Sequence, residues 1–357
     1  MSTVTFIDPE RDHRWDEFVK SHPTGLICHL SGWKQILERS FSHIKGYFPV
    51  ILGPSTGDIR AGLPLYLVRS PFLGNRLVSI PFATLCGPLV SATWEMQELL
   101  SAAIHLARRL SAHRIELRAL GAASVMADPR CERVSFYKHH SLSLDESPER
   151  LFKSFHRTCI RRVLRRCREN GLELYMECKR EDLRDFFASY IQSRQRLGLP
   201  PQPFRLFQNL WQVFAPSGQF RLYQALYRGR TVGSLVVLEF KERASAEFIT
   251  VDQEYAALHA THFLYWGAIK QACEQGFKVF DFGRTSPNNP GLMAFKQRWG
   301  TQVHELPQFW YPSIGNGRDL LANTETSVKY RLVRFLTRKS PPALLPYLGE
   351  LCYRHMG

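Results

Sequence analysis

The residues with the clearest chemical potential lie in one stretch, FDFGRTSPNNPGLMAFKQRWG, at 280–300. An amine attacking an activated acyl carbonyl forms a tetrahedral intermediate with a developing oxyanion, which a positioned ammonium and free backbone N–H groups can stabilise. Lys296 is the candidate for that role. Asp281 is the candidate base, or the group that orients the attacking amine; a strand-end carboxylate paired with Arg284 fits it equally well. Arg284 suits a phosphate, and Tyr265 and Trp299 are candidate substrate contacts, with a core position as the alternative for the tyrosine. An ordinary strand-loop-helix corner carrying a solvated lysine has the same spacing.

A second constellation is cationic. Six arginines and no acid fall between 157 and 168. Arg157, Arg161, Arg165 and Arg168 are spaced four, four and three apart and share one helical face, with Arg162 and Arg166 flanking it. Ile160, Val163, Leu164 and Cys167 take the opposite face. Arginine's planar fork holds phosphate bidentately, so the stripe suits a tRNA backbone, a diphosphate-linked lipid precursor or a membrane surface. The alternative is a solvated face of mutually repelling charges. A third basic segment, 329–339, interleaves Lys329, Arg331, Arg334, Arg338 and Lys339 with Tyr330, Leu332, Val333, Phe335 and Leu336. It reads as an amphipathic helix that docks on anionic lipid or packs on the first domain.

These side chains need particular elements to hold them. Phe277–Phe282 is short and aromatic, bounded by Gly276 and Gly283, and predicts a buried strand. The breakers Gly283, Pro287, Asn288, Asn289, Pro290 and Gly291 form a loop. Leu292, Phe295, Lys296 and Trp299 then recur at helical spacing, and Gly300 closes the helix. A helix starting there offers N–H groups to an anionic or polarised group. Pro148 and Asn170-Gly171 bracket one helix that carries the arginine stripe. Upstream, helices over 13–19 and from Ser31 precede strands at 48–52, 59–69 and 76–82, a helix over 94–113, and strands at 113–120 and 134–144. The order then recurs: helices at 181–197 and 205–214, strands at 220–227, 231–240 and 245–251, a helix over 256–274, the 277–282 strand and a strand near 309–311. This is a mixed α/β layer arrangement.

The 280–300 stretch resembles the C-terminal signature of the FemAB-like transferases, a branch of the GNAT acyltransferase superfamily, in which Asp-Phe-Gly leads through a glycine-containing loop to Phe-Lys-x-x-(Trp/Phe)-Gly. The resemblance extends from about residue 30 to about 311, taking in the Trp33 helix, GLPLYLVRS at 62–70, the 160–172 helix and TVGSLVVLEF at 231–240. It implies two tandem GNAT-like domains with mixed, mostly antiparallel sheets flanked by helices. The expected division is 1–145, with C-terminal helices in 318–357 packing back on it, and 146–317, which carries the signature. It implies that Lys296 lies at the reacting centre. Some family members that use aminoacyl-tRNA carry a coiled-coil insertion in the second domain, which this chain lacks. Acetyl-CoA-dependent GNAT enzymes usually carry Arg/Gln-x-x-Gly-x-Gly/Ala before a helix, and no such run occurs here either. The donor expected from the resemblance is therefore aminoacyl-tRNA, a longer acyl-CoA or another activated acyl group, with no tightly bound cofactor.

Composition narrows the rest. The 357 residues, 44% apolar and with 24 Phe, supply the core of two domains. A net charge of +15 favours polyanionic partners. The eight cysteines form no Cys-x-x-Cys pair or zinc spacing, which points to free thiols in a reducing cytosol and to no metal. No signal peptide or membrane-spanning stretch is read. There is no Walker loop, Rossmann fingerprint, nucleophile elbow or His-Glu-x-x-His, so positioning and electrostatics carry the chemistry. The expectation is a cytoplasmic N-acyltransferase or aminoacyltransferase acting on an amine of a phosphorylated or lipid-linked cell-envelope or exopolysaccharide precursor. tRNA and the inner membrane face are its other expected partners; DNA is not. The alternatives are a long-chain acyl-CoA N-acyltransferase of lipid synthesis and a non-catalytic RNA- or anionic-lipid-binding module.

Overall fold

The computed structural model describes residues 4–54, 56–118, 128–176, 179–315 and 327–356. Residues 119–120 of the expected 113–120 strand, Ser55, Cys178, and 318–326 of the expected C-terminal helices lie outside the described residues. Two compact units divide the chain. One comprises 1–136, 305–330 and 349–357; the other comprises 137–304 and 331–348.

In the first unit the strands include β1 (Val4–Ile7), β2 (Ile44–Leu52), β3 (Ile59–Gly62), β4 (Leu65–Val68), β5 (Asn75–Val78) and β6 (Ala112–Arg118), and Gln302–Tyr311, the strand expected near 309–311, pairs antiparallel with β6. They lie in the order β1-β2-β4-β5-β6, with β3 also on β2, and every pair is antiparallel except β5 with β6. A parallel neighbour needs a crossover, and α3 (Thr93–Arg109) supplies it. Its Met96, Leu99, Leu100, Ala103 and Ile104 recur three and four apart and bury against Leu65, Leu67, Leu77 and Ile115 of the sheet.

The second unit repeats this plan. Its strands are β7 (Glu132–Ser143), whose first residues belong to the other unit, β8 (Leu172–Tyr175), β9 (Phe220–Tyr227), β10 (Arg230–Phe240), β11 (Arg243–Val251) and β12 (Val279–Thr285). They run β7-β12-β11-β10-β9-β8, antiparallel except for β11 with β12. The crossover helix here is α8 (Ala260–Glu274). The sequence predicts that helix from 256, but Gln253–Leu258 forms a 3₁₀ turn and His259 takes a left-handed φ of 56°. One face of this sheet holds Ala244, Phe280 and Phe282 in a core with Leu264, Tyr265, Ile269 and Trp299. Both units are thus mixed, mostly antiparallel sheets with helices on them, as the sequence leads one to expect. Among the described residues no helix is long and apolar enough to cross a membrane.

Candidate active site

Lys296 sits on α9 (Pro290–Gln297), a short helix after β12. The helix start is closed rather than open: Pro290 has no N–H, and Asn289 Oδ1 accepts the N–H of Leu292 at 3.1 Å. β12 runs on past its expected end, because Gly283, Arg284 and Thr285 still pair with His140, His139 and Lys138 of β7. The register slips between Asp281 and Gly283, and Gly283 takes a φ of 71°, which glycine adopts without a Cβ penalty. This irregularity turns two carbonyls toward the helix. Lys296 Nζ donates to Gly283 O and to Arg284 O, each at 3.1 Å. The ammonium is buried, and burial pulls its pKa down to about 8 against the opposing pull of Asp281. His140, also buried, donates or accepts at Thr301 Oγ1 (3.3 Å); burial and the Lys296 charge push its pKa down to about 4, so it is neutral at pH 7.

Asp281 is engaged differently from the sequence expectation. Its Oδ1 accepts from His139 Nε2 at 2.8 Å and from the Gly283 N–H at 2.7 Å, and its Oδ2 accepts from Arg243 at 3.0 Å. Burial by itself raises a carboxyl pKa, but His139, Arg243 and the Gly283 N–H outweigh it and hold Asp281 low. A carboxylate held low is a weak proton acceptor, which weighs against Asp281 as the base. Its ion-pair partner is Arg243, not Arg284. Arg284 is exposed, with its guanidinium 4.7 Å from the centre of the Tyr137 ring. The other two expected contacts are packed away: Trp299 is wholly buried, and Tyr265 nearly so, stacked 4.9 Å from Phe282.

Two of the residues gathered here carried no sequence signal. His139 and Arg243 reach Asp281 from neighbouring strands, 142 and 38 residues away. Glu247 did have a signal, as a lone acid in the Ser245–Val251 run. It is the unpaired residue of a bulge on β11, between Ala246 opposite Val237 and Phe248 opposite Val236. Two residues before it, Ser245 faces Asp281 across the parallel β11–β12 pair. Glu247 is exposed; the surrounding protein and the Asp281 charge push its carboxyl upward.

The arginine stripe is not one helix. α4 (Pro148–Ser154) ends at Phe155, which is extended at ψ 153° and buries its ring 5.1 Å from Trp299. Arg157–Arg161 then forms a π turn, followed by α5 (Arg162–Glu169). His156 starts the turn: its Nδ1 accepts from the Cys159 N–H at 3.2 Å, and its carbonyl accepts from the Arg161 N–H at 3.2 Å. Arg157, Thr158, Arg161, Arg162 and Arg165 line one cavity of about 570 Å³. Arg162 is therefore in the lining rather than beside it, and Arg168 is not in it. Arg161 Nε is buried without a protein partner. The His156 N–H donates to Arg298 O at 3.1 Å, which ties this basic element to the end of the helix that carries Lys296. Among the described residues no cluster of three or more His, Cys, Asp or Glu is arranged to hold a metal ion.

Residues 154–297, which include the arginine stripe and Lys296, match the family model of an acetyltransferase (GNAT) domain. Several solved structures share the fold. FemX is 16% identical, with 88% of this chain and 98% of its own covered at a TM-score of 0.70. L-PGS from Bacillus licheniformis is 13% identical, with 88% and 97% covered at 0.60. A tandem GNAT protein from the clavulanic acid biosynthesis pathway is 15% identical, with 86% and 98% covered at 0.55. No curated protein matches the chain by sequence.

Proposed function

We propose that this chain, whose residues 154–297 match a GNAT acetyltransferase domain and whose fold is shared with FemX, moves an activated acyl or aminoacyl group onto an amine of a phosphorylated cell-envelope precursor in the cytosol. The observation that carries this reading is the arginine-lined cavity anchored on the end of the Lys296 helix. Four guanidinium groups around one space suit a phosphate or diphosphate. A lysine ammonium has three N–H groups, and two of those on Lys296 go to carbonyls. The third is assigned to the oxyanion of the tetrahedral intermediate. Glu247, an exposed carboxylate whose pKa is raised beside Asp281, is assigned to accept the proton of the attacking amine. Asp281 is assigned to balancing Lys296 and fixing the bulge at Gly283, and Arg284 to a substrate phosphate. The nitrogen–acyl bond forms as the donor's thioester or ester bond breaks, and the thiol or hydroxyl leaves with a proton.

The GNAT acetyltransferase model favours a second reading of the donor. In that reading the donor is acyl-CoA, and the cavity holds its phosphates instead of the acceptor's. Thermal stabilisation separates the cases, since a ligand of the folded state raises the midpoint according to its affinity. A shift with charged tRNA, larger than with uncharged tRNA, supports aminoacyl transfer. A shift with a CoA thioester alone supports the second reading. Arg161→Ala with Arg165→Ala is expected to abolish the shift given by the productive ligand. An unchanged shift in that variant removes the cavity from the substrate site.

A further inference from the structure

The helix Val328–Lys339 faces outward with the wrong side for a packed helix. Its inward side is Val333, Arg334 and Thr337, and Thr337 is fully buried. That side is held to α6 (Asp182–Leu197) by polar contacts: Arg334 donates to Leu197 O at 3.5 Å, and the Gln195 amide donates to Ser340 O at 2.7 Å. The outward side is apolar. Leu332, Phe335 and Leu336 are 55%, 59% and 44% exposed, and they are three and four residues apart, so they form one strip. The chain then turns at Pro341-Pro342 and presents Leu344 and Tyr347, 54% and 73% exposed. Exposed apolar side chains clustered in this way mark an interaction surface rather than scattered exposure.

The charge around the strip selects the partner. Arg331 and Arg338 flank one side of it, Lys329 the other, and Lys339 closes its end; all four are exposed. No acidic residue occurs from 327 to 349, although 32 occur in the chain. An apolar strip bordered on both sides by cations matches the boundary of a bilayer whose headgroups are anionic: the side chains enter the acyl region while the cations stay at phosphate level. We infer that residues 328–347 form an interfacial anchor that seats the second unit on an anionic lipid surface. The anchor lies flat and does not span. It acts whether or not the acyl-transfer reading holds.

The test is co-sedimentation of the full chain with vesicles of phosphatidylglycerol and phosphatidylcholine, against vesicles of phosphatidylcholine alone. Preferential binding to the anionic vesicles, weakening as salt is added, is expected. Leu332→Ser with Phe335→Ser is expected to weaken it at least tenfold, since both side chains would otherwise be removed from water. Arg331→Ser with Arg338→Ser is expected to weaken it about thirtyfold, from two cations at the surface. All four residues are exposed, so melting temperatures should match the parent and confirm that the variants fold. Equal binding to neutral vesicles, or unchanged binding in both double variants, overturns the anchor. So does a dimer in solution that Phe335→Ser dissociates, which would make the strip a contact between copies.

Discussion

At the scale of the residue, the roles proposed for Lys296 and Glu247 predict the pH behaviour. Lys296 has a folded pKa of about 8 against an ordinary 10.5, so between these values the unfolded chain binds more protons. Stability contributed by this group therefore rises with pH from about 8 to 10.5 and is lost again as pH falls through 8. Lys296→Met removes a buried cation, and its melting temperature at pH 7 should equal or exceed that of the parent. Its kcat should nevertheless fall by about 10²–10³, the usual effect of losing one oxyanion donor, with little change in substrate affinity. If Glu247 is the base, kcat/KM rises with pH through a raised carboxyl pKa; if Lys296 must be protonated, it falls above about 8. Glu247→Gln should remove the rising limb and Lys296→Met the falling one. A profile that keeps both limbs in both variants contradicts the assignments.

At the scale of the element, the strand end at 281–285 is a device for turning carbonyls. Asp281 draws His139, Arg243 and the Gly283 N–H to one point, which fixes the bulge that aims the Gly283 and Arg284 carbonyls at Lys296. Asp281→Asn leaves the Arg243 cation and the His139 ring without their carboxylate, and chemical denaturation should show a loss of about 3 kcal/mol or more. If the loss is within the scatter of surface substitutions, below about 0.5 kcal/mol, the network is not what fixes the strand end. The π turn at 157–161 is the second such device. The turn and the start of α5 together bring Arg157, Arg161, Arg162 and Arg165 onto one cavity.

At the scale of the whole molecule, the C-terminal stretch serves both units. Leu345 is fully buried in the second, while in the first the Tyr353 ring lies 5.6 Å from Phe82 and 6.3 Å from Phe41. Deleting 327–357 strips core from each, so the truncated chain should melt several degrees lower or fail to remain soluble. The exposed-strip variant at Leu332 and Phe335 should melt like the parent. Equal melting of the truncated and full chains would show that the stretch is dispensable to both cores.

The sequence by itself determined the element order, the mixed α/β class, the position of Lys296 on a short helix after a strand, and the clustering of arginine at 157–168. Local periodicity and breaker residues encode these features. It determined none of what joins distant segments. His139 and Arg243 meet Asp281 only because β7 and β11 flank β12, and no spacing in the chain announces strand neighbours so far apart. Tyr265 and Trp299 have the residue types of ligand contacts, yet the sheet and α8 enclose them, since burial follows from three-dimensional packing rather than residue type. The break at Phe155 shows the same limit. Helical spacing runs straight through 148–170, but the gain from seating Phe155 on Trp299 overrides it, and the tertiary structure alone decides that the arginines line a cavity.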